Sequence, residues 1–396
     1  MRINRWTTTR LTLLVSLIAA LITLSARMVA DTGTCGGQSL TLPFTDVPAG
    51  NIFFCSIAEA FFSGLTNGTS PTTYSPSANV PREQMAAFVT RTMDQSLRRG
   101  SARASSKQWW TPTGVLDRAL TTVGSIPELV ETDGADLWVA NFTSGTVSRV
   151  RASDGRLLET WTGATQAAGV LVATGRVFVT GGFTPGKLYE IDPRQPAGTV
   201  TFLTNVGESP QGIAFDGARV WTADNGSPAS VSIVTLNPLS VTTVTTGFSA
   251  PVGMLYDGAN IWETDGDGTL KRLDSNGNIL QSVVVGDNPQ TPVFDGTNIW
   301  VPNSNSNTVS IVRAATGTVL ATLSGNGLNG PDVAAFDGER ILITNQTGNS
   351  VSLWIAADLT PLGFFPTGAS TQPFGACSDG LNFWITLSNA NKLARF

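Results

Sequence analysis

The 396-residue chain contains no histidine. That absence removes every Ser-His-Asp relay, every Cys-His pair and every imidazole metal ligand from consideration. Cysteine is nearly as scarce: Cys35, Cys55 and Cys377 are the only three, and none falls in a metal-type spacing. Tyrosine occurs only at positions 74, 189 and 256. Charged residues make up 13% and the net charge is −5, so there is no basic footprint for nucleic acid. The chain is instead rich in turn formers, with 41 Gly and 21 Pro, and 41% of it is hydrophobic. That composition describes a globular, loop-dense protein rather than a disordered one.

Residues 1–30 have the layout of a signal peptide. Arg2, Arg5 and Arg10 precede an uncharged, mostly apolar run from Leu11 to Leu24, and Ala26 or Ala30 follows as a cleavage position. The run is shorter than the roughly 20 residues of a spanning helix, so export is expected. Contact with a membrane is expected only if this segment stays uncleaved. An oxidising destination permits a Cys35–Cys55 bridge, although two buried thiols satisfy the sequence equally well. Cys377 falls in a predicted strand and reads as a small core residue.

Residues 35–100 form a first module. Residues 53–64 read as a short apolar helix stopped by Gly64. Pro81 opens a second helix whose apolar residues Met85, Ala86, Phe88 and Val89 share one face. The order Phe44-Thr-Asp-Val47, Ile57 to Phe62, Gly64-Leu-Thr-Asn-Gly68, Tyr74-Ser-Pro76 and Pro81-Arg-Glu-Gln-Met-Ala86 resembles one S-layer homology repeat. The resemblance implies tethering to cell-wall or envelope polysaccharide. It places the glycan-contacting residues at Arg82 and Glu83; the plainer alternative is two surface residues of a first helical turn. Residues 101–112, with Arg103, Lys107, Trp109 and Trp110, read as a linker.

Residues 113–396 repeat. Asp-Gly recurs at Asp133, Asp216, Asp257, Asp295, Asp337 and Asp379, with Thr174-Gly175 filling one gap, at spacings of 38 to 42 residues. Four or five residues later stands Trp138, Phe178, Trp221, Trp262, Trp300, Leu342 or Trp384. Asp-Gly marks a hairpin turn in which both residues tolerate positive φ, and the following large residue is expected between neighbouring blades. Four short strands per repeat is the period of a propeller. The fold expected is therefore mainly β, a seven-bladed β-propeller of four-stranded blades behind a small α-helical module. Gly114 to Val123 is expected to supply the missing fourth strand of the last blade. The repeats resemble the YVTN/NHL-like propellers, a group that includes the streptogramin lyases; these use a histidine base and a bound metal, which this chain cannot reproduce.

The residue after each recurrent proline, which Ala167 replaces in the second repeat, is expected at the mouth of the central channel: Glu128, Ala168, Gln211, Val252, Gln290, Asp332 and Phe374. Glu128 and Asp332 could share Ca²⁺ or Mg²⁺, but no ligand motif surrounds either acid, so no metal or other cofactor is assigned. Asp265-Gly-Asp-Gly268 reads as a hairpin rather than a calcium loop, and Asn141, Asn303 and Asn345 as Asx turns or a polar rim. No catalytic residue emerges. The leading expectation is an exported, envelope-associated binding protein whose propeller face takes a small molecule or protein. The alternatives are a metal-dependent propeller enzyme of lyase or lactonase type and a purely structural outer-layer protein.

Overall fold

The computed structural model describes residues 32–35, 37–89, 92 and 117–396. The expected signal segment, the end of the second helix and the linker lie outside the described residues. No described helix is long and apolar enough to cross a membrane.

Seven four-stranded antiparallel sheets form a closed ring. Blades 1 to 6 span residues 127–162, 170–206, 210–244, 251–284, 293–323 and 331–366, each running from the channel outward in chain order. Blade 7 takes three strands from residues 373–395, and its outer strand is Asp117–Thr122, from the other end of the ring. Thr121 pairs with Leu393 and Leu120 with Ala394, so the ring is locked by hydrogen bonds between its two chain ends. The expected closure is present.

The repeated aspartate does more than make a turn. Asp133 accepts the backbone N–H groups of Ala135 and Asp136, and its second oxygen accepts the Trp138 indole N–H at 3.0 Å. The same carboxylate-to-indole bond joins Asp216 to Trp221, Asp257 to Trp262, Asp295 to Trp300 and Asp379 to Trp384, at 2.7–2.9 Å. Each indole is fully buried against the next blade and needs a partner for its N–H, which the turn supplies. The two-residue, doubly positive turn expected from Asp-Gly occurs only where the motif is broken: Thr174 and Gly175 have φ of 52° and 71°. Elsewhere only the glycine is left-handed, as at Gly134 (φ 93°), because the aspartate is held by the N–H groups it accepts. In blade 6, Leu342 offers no N–H, and Asp337 binds the Arg340 guanidinium instead.

The N-terminal residues do not form an isolated core. A hairpin, β1 (Thr32–Cys35) and β2 (Gln38–Thr41), precedes α1 (Phe54–Phe62). Cys35 and Cys55 are disulfide-bonded, with Cα atoms 5.6 Å apart, which fastens the hairpin to the helix. Asp46, in the Phe-Thr-Asp-Val segment, accepts the N–H groups of Tyr74 and Ser75 and so ties that segment to Tyr74-Ser-Pro76. Leu40, Leu42, Phe44, Phe61 and Phe62 are buried in one cluster with Trp300, Ile311 and Leu320 of blade 5 and Ile341 and Trp354 of blade 6. The last carbonyls of a helix have no intrahelical donor. Here Arg313 donates to the Phe61 carbonyl and Asn298 to the Phe62 carbonyl, both from blade 5. The Arg313 guanidinium lies 4.8 Å from the Phe61 ring centre, a favourable charge at a helix C-terminus. Residues 82–89 are helical, but Met85 and Val89 on the expected apolar face are 51% and 60% exposed. Blade 5, not the second helix, completes the small core.

Candidate functional site at the channel mouth

The seven expected mouth residues come together: five stand second in their inner strands, and Ala168 and Gln290 lie just ahead of theirs. Glu128, Ala168, Gln211, Val252, Gln290, Asp332 and Phe374 all line one cavity of about 510 Å³ at the end of the channel. Its rim adds Phe142 and Phe183, whose rings meet edge-on at 5.8 Å, together with Gln166, Asn288, Ser304, Gln346 and Thr347. The volume is in the range of small-molecule sites.

Local sequence explains how the inner strands approach so closely. In the Pro-X-Gly triplets Pro210-Gln-Gly212, Pro251-Val-Gly253 and Pro373-Phe-Gly375, the glycine faces the next blade. A Cβ at Gly375 would lie 2.3 Å from the Glu128 carbonyl oxygen, and one at Gly212 would lie 2.4 Å from that of Val252. Ahead of the triplets the chain turns through a left-handed residue, as at Ser209 (φ 50°), Gln372 (φ 49°) and even β-branched Ile126 (φ 50°). Such strain at a β-branched residue is uncommon and is held by its surroundings.

Buried threonines on the second strands stitch neighbouring blades. Thr344 accepts the Val333 N–H at 2.9 Å and donates to the Phe374 carbonyl at 2.7 Å. Thr386 accepts the Gly375 N–H at 2.7 Å and donates to the Glu128 carbonyl at 2.6 Å. Blades 6, 7 and 1 are thereby fixed in register, and Asp332, Phe374 and Glu128 stand side by side on one arc of the mouth. Gln211, Val252 and Gln290 occupy the other arc.

Among the described residues the two acids are the only charged ones lining the cavity. Burial raises Asp332, 7% exposed, to a pKa of about 7. Burial, and then the charge of Asp332, raises Glu128 to about 8. The pair therefore exchanges protons around neutral pH, the range suited to acid–base work or to charge-linked binding. Among the described residues no group of three or more His, Cys, Asp or Glu is arranged to hold a metal.

The remaining candidates lie elsewhere. Arg82 and Glu83 are exposed on the short helix and are not part of the cavity. Asn141, Asn303 and Asn345 are fully buried, and their amides donate to Ser148, Ser310 and Ser352 on the adjacent strand. They are internal braces, neither Asx turns nor a rim. Asp224 fills the same role in blade 3, where it accepts from Thr222 and Ser232; burial lifts it to a pKa of about 6. Asp265-Gly-Asp-Gly268 closes a hairpin, with Asp265 accepting from the Ser249 and Ala250 N–H groups and from buried Lys271 at 2.6 Å. Cys377 is a buried free thiol. The threonine stitches and the rim phenylalanines were missed by sequence reasoning. The recurring Pro-X-Gly triplet and the Thr two residues after Phe178, Trp262, Leu342 or Trp384 were the available signals.

Solved structures with the same architecture include virginiamycin B lyase from Staphylococcus aureus, at 16% identity and TM-score 0.60 over 70% of this chain and 97% of the lyase. Hydrazine synthase from Kuenenia stuttgartiensis matches at 18% identity and TM-score 0.59, covering 72% of this chain and 99% of that one. The WD40 propeller domain of Doa1 matches at 13% identity and TM-score 0.59, covering 70% and 95%. This chain is a seven-bladed β-propeller with streptogramin-B-lyase-like neighbours. At these identities the likeness is one of fold. No family model and no curated protein sequence matches the chain.

Proposed function

We propose that this protein is an exported, envelope-associated binding protein whose propeller takes a small ligand, or the end of a larger one, at the channel mouth. The observation that carries the reading is the convergence of seven equivalent residues, six of them after a proline, on one cavity with a buried and a half-buried acid and an aromatic rim. Binding is favoured over lyase chemistry. A histidine-to-alanine variant of the staphylococcal lyase is catalytically inactive, and this chain has no histidine at all. In the cavity, the amides of Gln211 and Gln290 offer both donors and acceptors to a ligand, while Phe142, Phe183 and Phe374 offer apolar faces.

The signal-like N-terminus and the resemblance to an S-layer homology repeat support envelope placement. Arg82 and Glu83 are exposed and available to an acidic polysaccharide, with Arg82 as the bidentate donor. Two experiments test the two halves. Gln211→Trp fills the cavity; small-molecule hits from a thermal-shift screen should vanish in it, and hits that persist remove the mouth as the binding site. Co-sedimentation with purified cell-wall polysaccharide should drop in Arg82→Ala, and unchanged sedimentation removes the tethering role.

A further inference from the structure

The cavity is chemically lopsided. Among the described residues no Lys or Arg lines it, and its two carboxylates stand on the same arc, with Phe374 on the blade between theirs. Thr344 and Thr386 hold that arc in place. Among the described residues neither the Asp332 nor the Glu128 carboxylate has a hydrogen-bond or ion-pair partner, and Asp332 is 7% exposed. The oxygens of both carboxylates stay accessible from the cavity, and a carboxylate taken largely out of water without a partner is costly. The deeply buried aspartates Asp295, Asp224 and Asp265 are satisfied, by indole, hydroxyl, ammonium or backbone N–H groups; Glu263, buried inside blade 4 away from the cavity, is another carboxylate without a hydrogen-bond partner.

We infer that the mouth is a site for an organic ammonium group, seated between Glu128 and Asp332 against the face of Phe374, with the rest of the ligand on the amide arc of Gln211 and Gln290. The inference rests on the reading of the mouth as the binding site and names the chemistry of its ligand. Two carboxylates flanking an aromatic face match an ammonium, which takes charge-assisted hydrogen bonds and a cation–π contact together. They suit Ca²⁺ poorly, because Ca²⁺ takes six to eight oxygens and the Glu128 and Phe374 carbonyls already accept from Thr386 and Thr344. Because burial makes the acids hold protons near neutrality, an ammonium entering the site displaces a proton.

The test is methyl NMR of the full chain, reading the Val252 methyls inside the cavity, with 1,5-diaminopentane, 1,5-pentanediol, glutarate and CaCl₂ each added alone. The expected result is a saturable shift with the diamine only. Its affinity should rise at least tenfold from pH 6 to pH 8.5, and should fall at least tenfold in Asp332→Asn and in Glu128→Gln at pH 8.5. Calorimetry in buffers of different ionisation heat should show proton release on binding. Equal shifts with the diol or glutarate would overturn the ammonium assignment and leave the mouth as a binding site. A saturable shift with CaCl₂ alone would replace the ammonium by a metal. No shift with any of the four would remove both the assignment and the site.

Discussion

The hydroxyl of Thr386 donates to the carbonyl of Glu128 at 2.6 Å across the junction between the last blade and the first. That bond sits where the ring closes, and it holds the backbone of a residue whose side chain lines the ligand cavity. Closure of the fold and construction of the site therefore depend on the same contact. Thr386→Val keeps the shape of the side chain but leaves the Glu128 carbonyl and the Gly375 N–H without their partner. The expected cost is about 1–3 kcal/mol, read as a lowered urea midpoint with an unchanged slope.

Gly375→Ala is expected to act at the same junction by a different route. Its methyl would overlap the Glu128 carbonyl, so blades 7 and 1 must separate. A loss of about 1–3 kcal/mol, of the size seen for overpacking, should be accompanied by a changed Val252 methyl signal. An alanine variant as stable as the parent would show that the inner strands move apart freely.

Asp332→Asn should change how stability depends on pH. The folded-state pKa of Asp332 is raised, to about 7 from 3.8. The folded protein then holds a proton that the unfolded chain has released, and stability falls as pH climbs from about 4 to 7. Asparagine removes that slope. Relative to the parent, the variant should gain about 4 kcal/mol between pH 4 and pH 8.5. Parallel urea titrations at the two pH values check it, and a constant difference between the proteins would refute it.

Lys271 is buried and neutralises Asp265 at 2.6 Å and Asp267 at 3.0 Å. Glu263, directly across the strand from Lys271, is fully buried, and burial keeps its carboxyl well above the usual range. Lys271→Met should leave Asp265 charged and unpaired, at a cost of about 3–5 kcal/mol. The loss should shrink when Asp265→Asn is added, because the stranded charge is then gone.

Docking of the N-terminal module on blade 5 predicts one cooperative unfolding transition for the described parts of the chain. Phe61→Ala should lower the midpoint of the whole protein, by about 3–5 kcal/mol, rather than reveal a separate early transition. Reduction of the Cys35–Cys55 bridge, which closes a loop with a sequence separation of 20, should cost about 3 kcal/mol. Differential scanning calorimetry with and without reductant measures both. Two resolved transitions would show that the module is energetically independent.

Much of the architecture was legible because it is local and repeated. Asp-Gly followed by a large residue is a short-range signal, and its recurrence gives the blade count; the strand expected within Gly114 to Val123 is Asp117–Thr122. The mouth residues were legible for the same reason, since each stands at the same place in its repeat. The aspartate-to-indole bond was not seen, although both partners were: at a separation of five residues along a strand, nothing in the sequence says that the carboxylate folds back over the turn. The apolar face of the module's second helix was legible, but periodicity marks such a face without saying what covers it, and Met85 and Val89 are exposed.

The amino-acid sequence by itself determined the repeat, the strand order within each blade and the exclusion of histidine chemistry, all of which follow from residue types at fixed spacing. Only the tertiary structure decided that Glu128 and Asp332, more than two hundred residues apart in the chain, share one arc with Phe374, and that blade 5 completes the N-terminal core. The reason is closure. A ring brings its first and sixth repeats to either side of its seventh, and no property of one repeat specifies which residues of the others will face it.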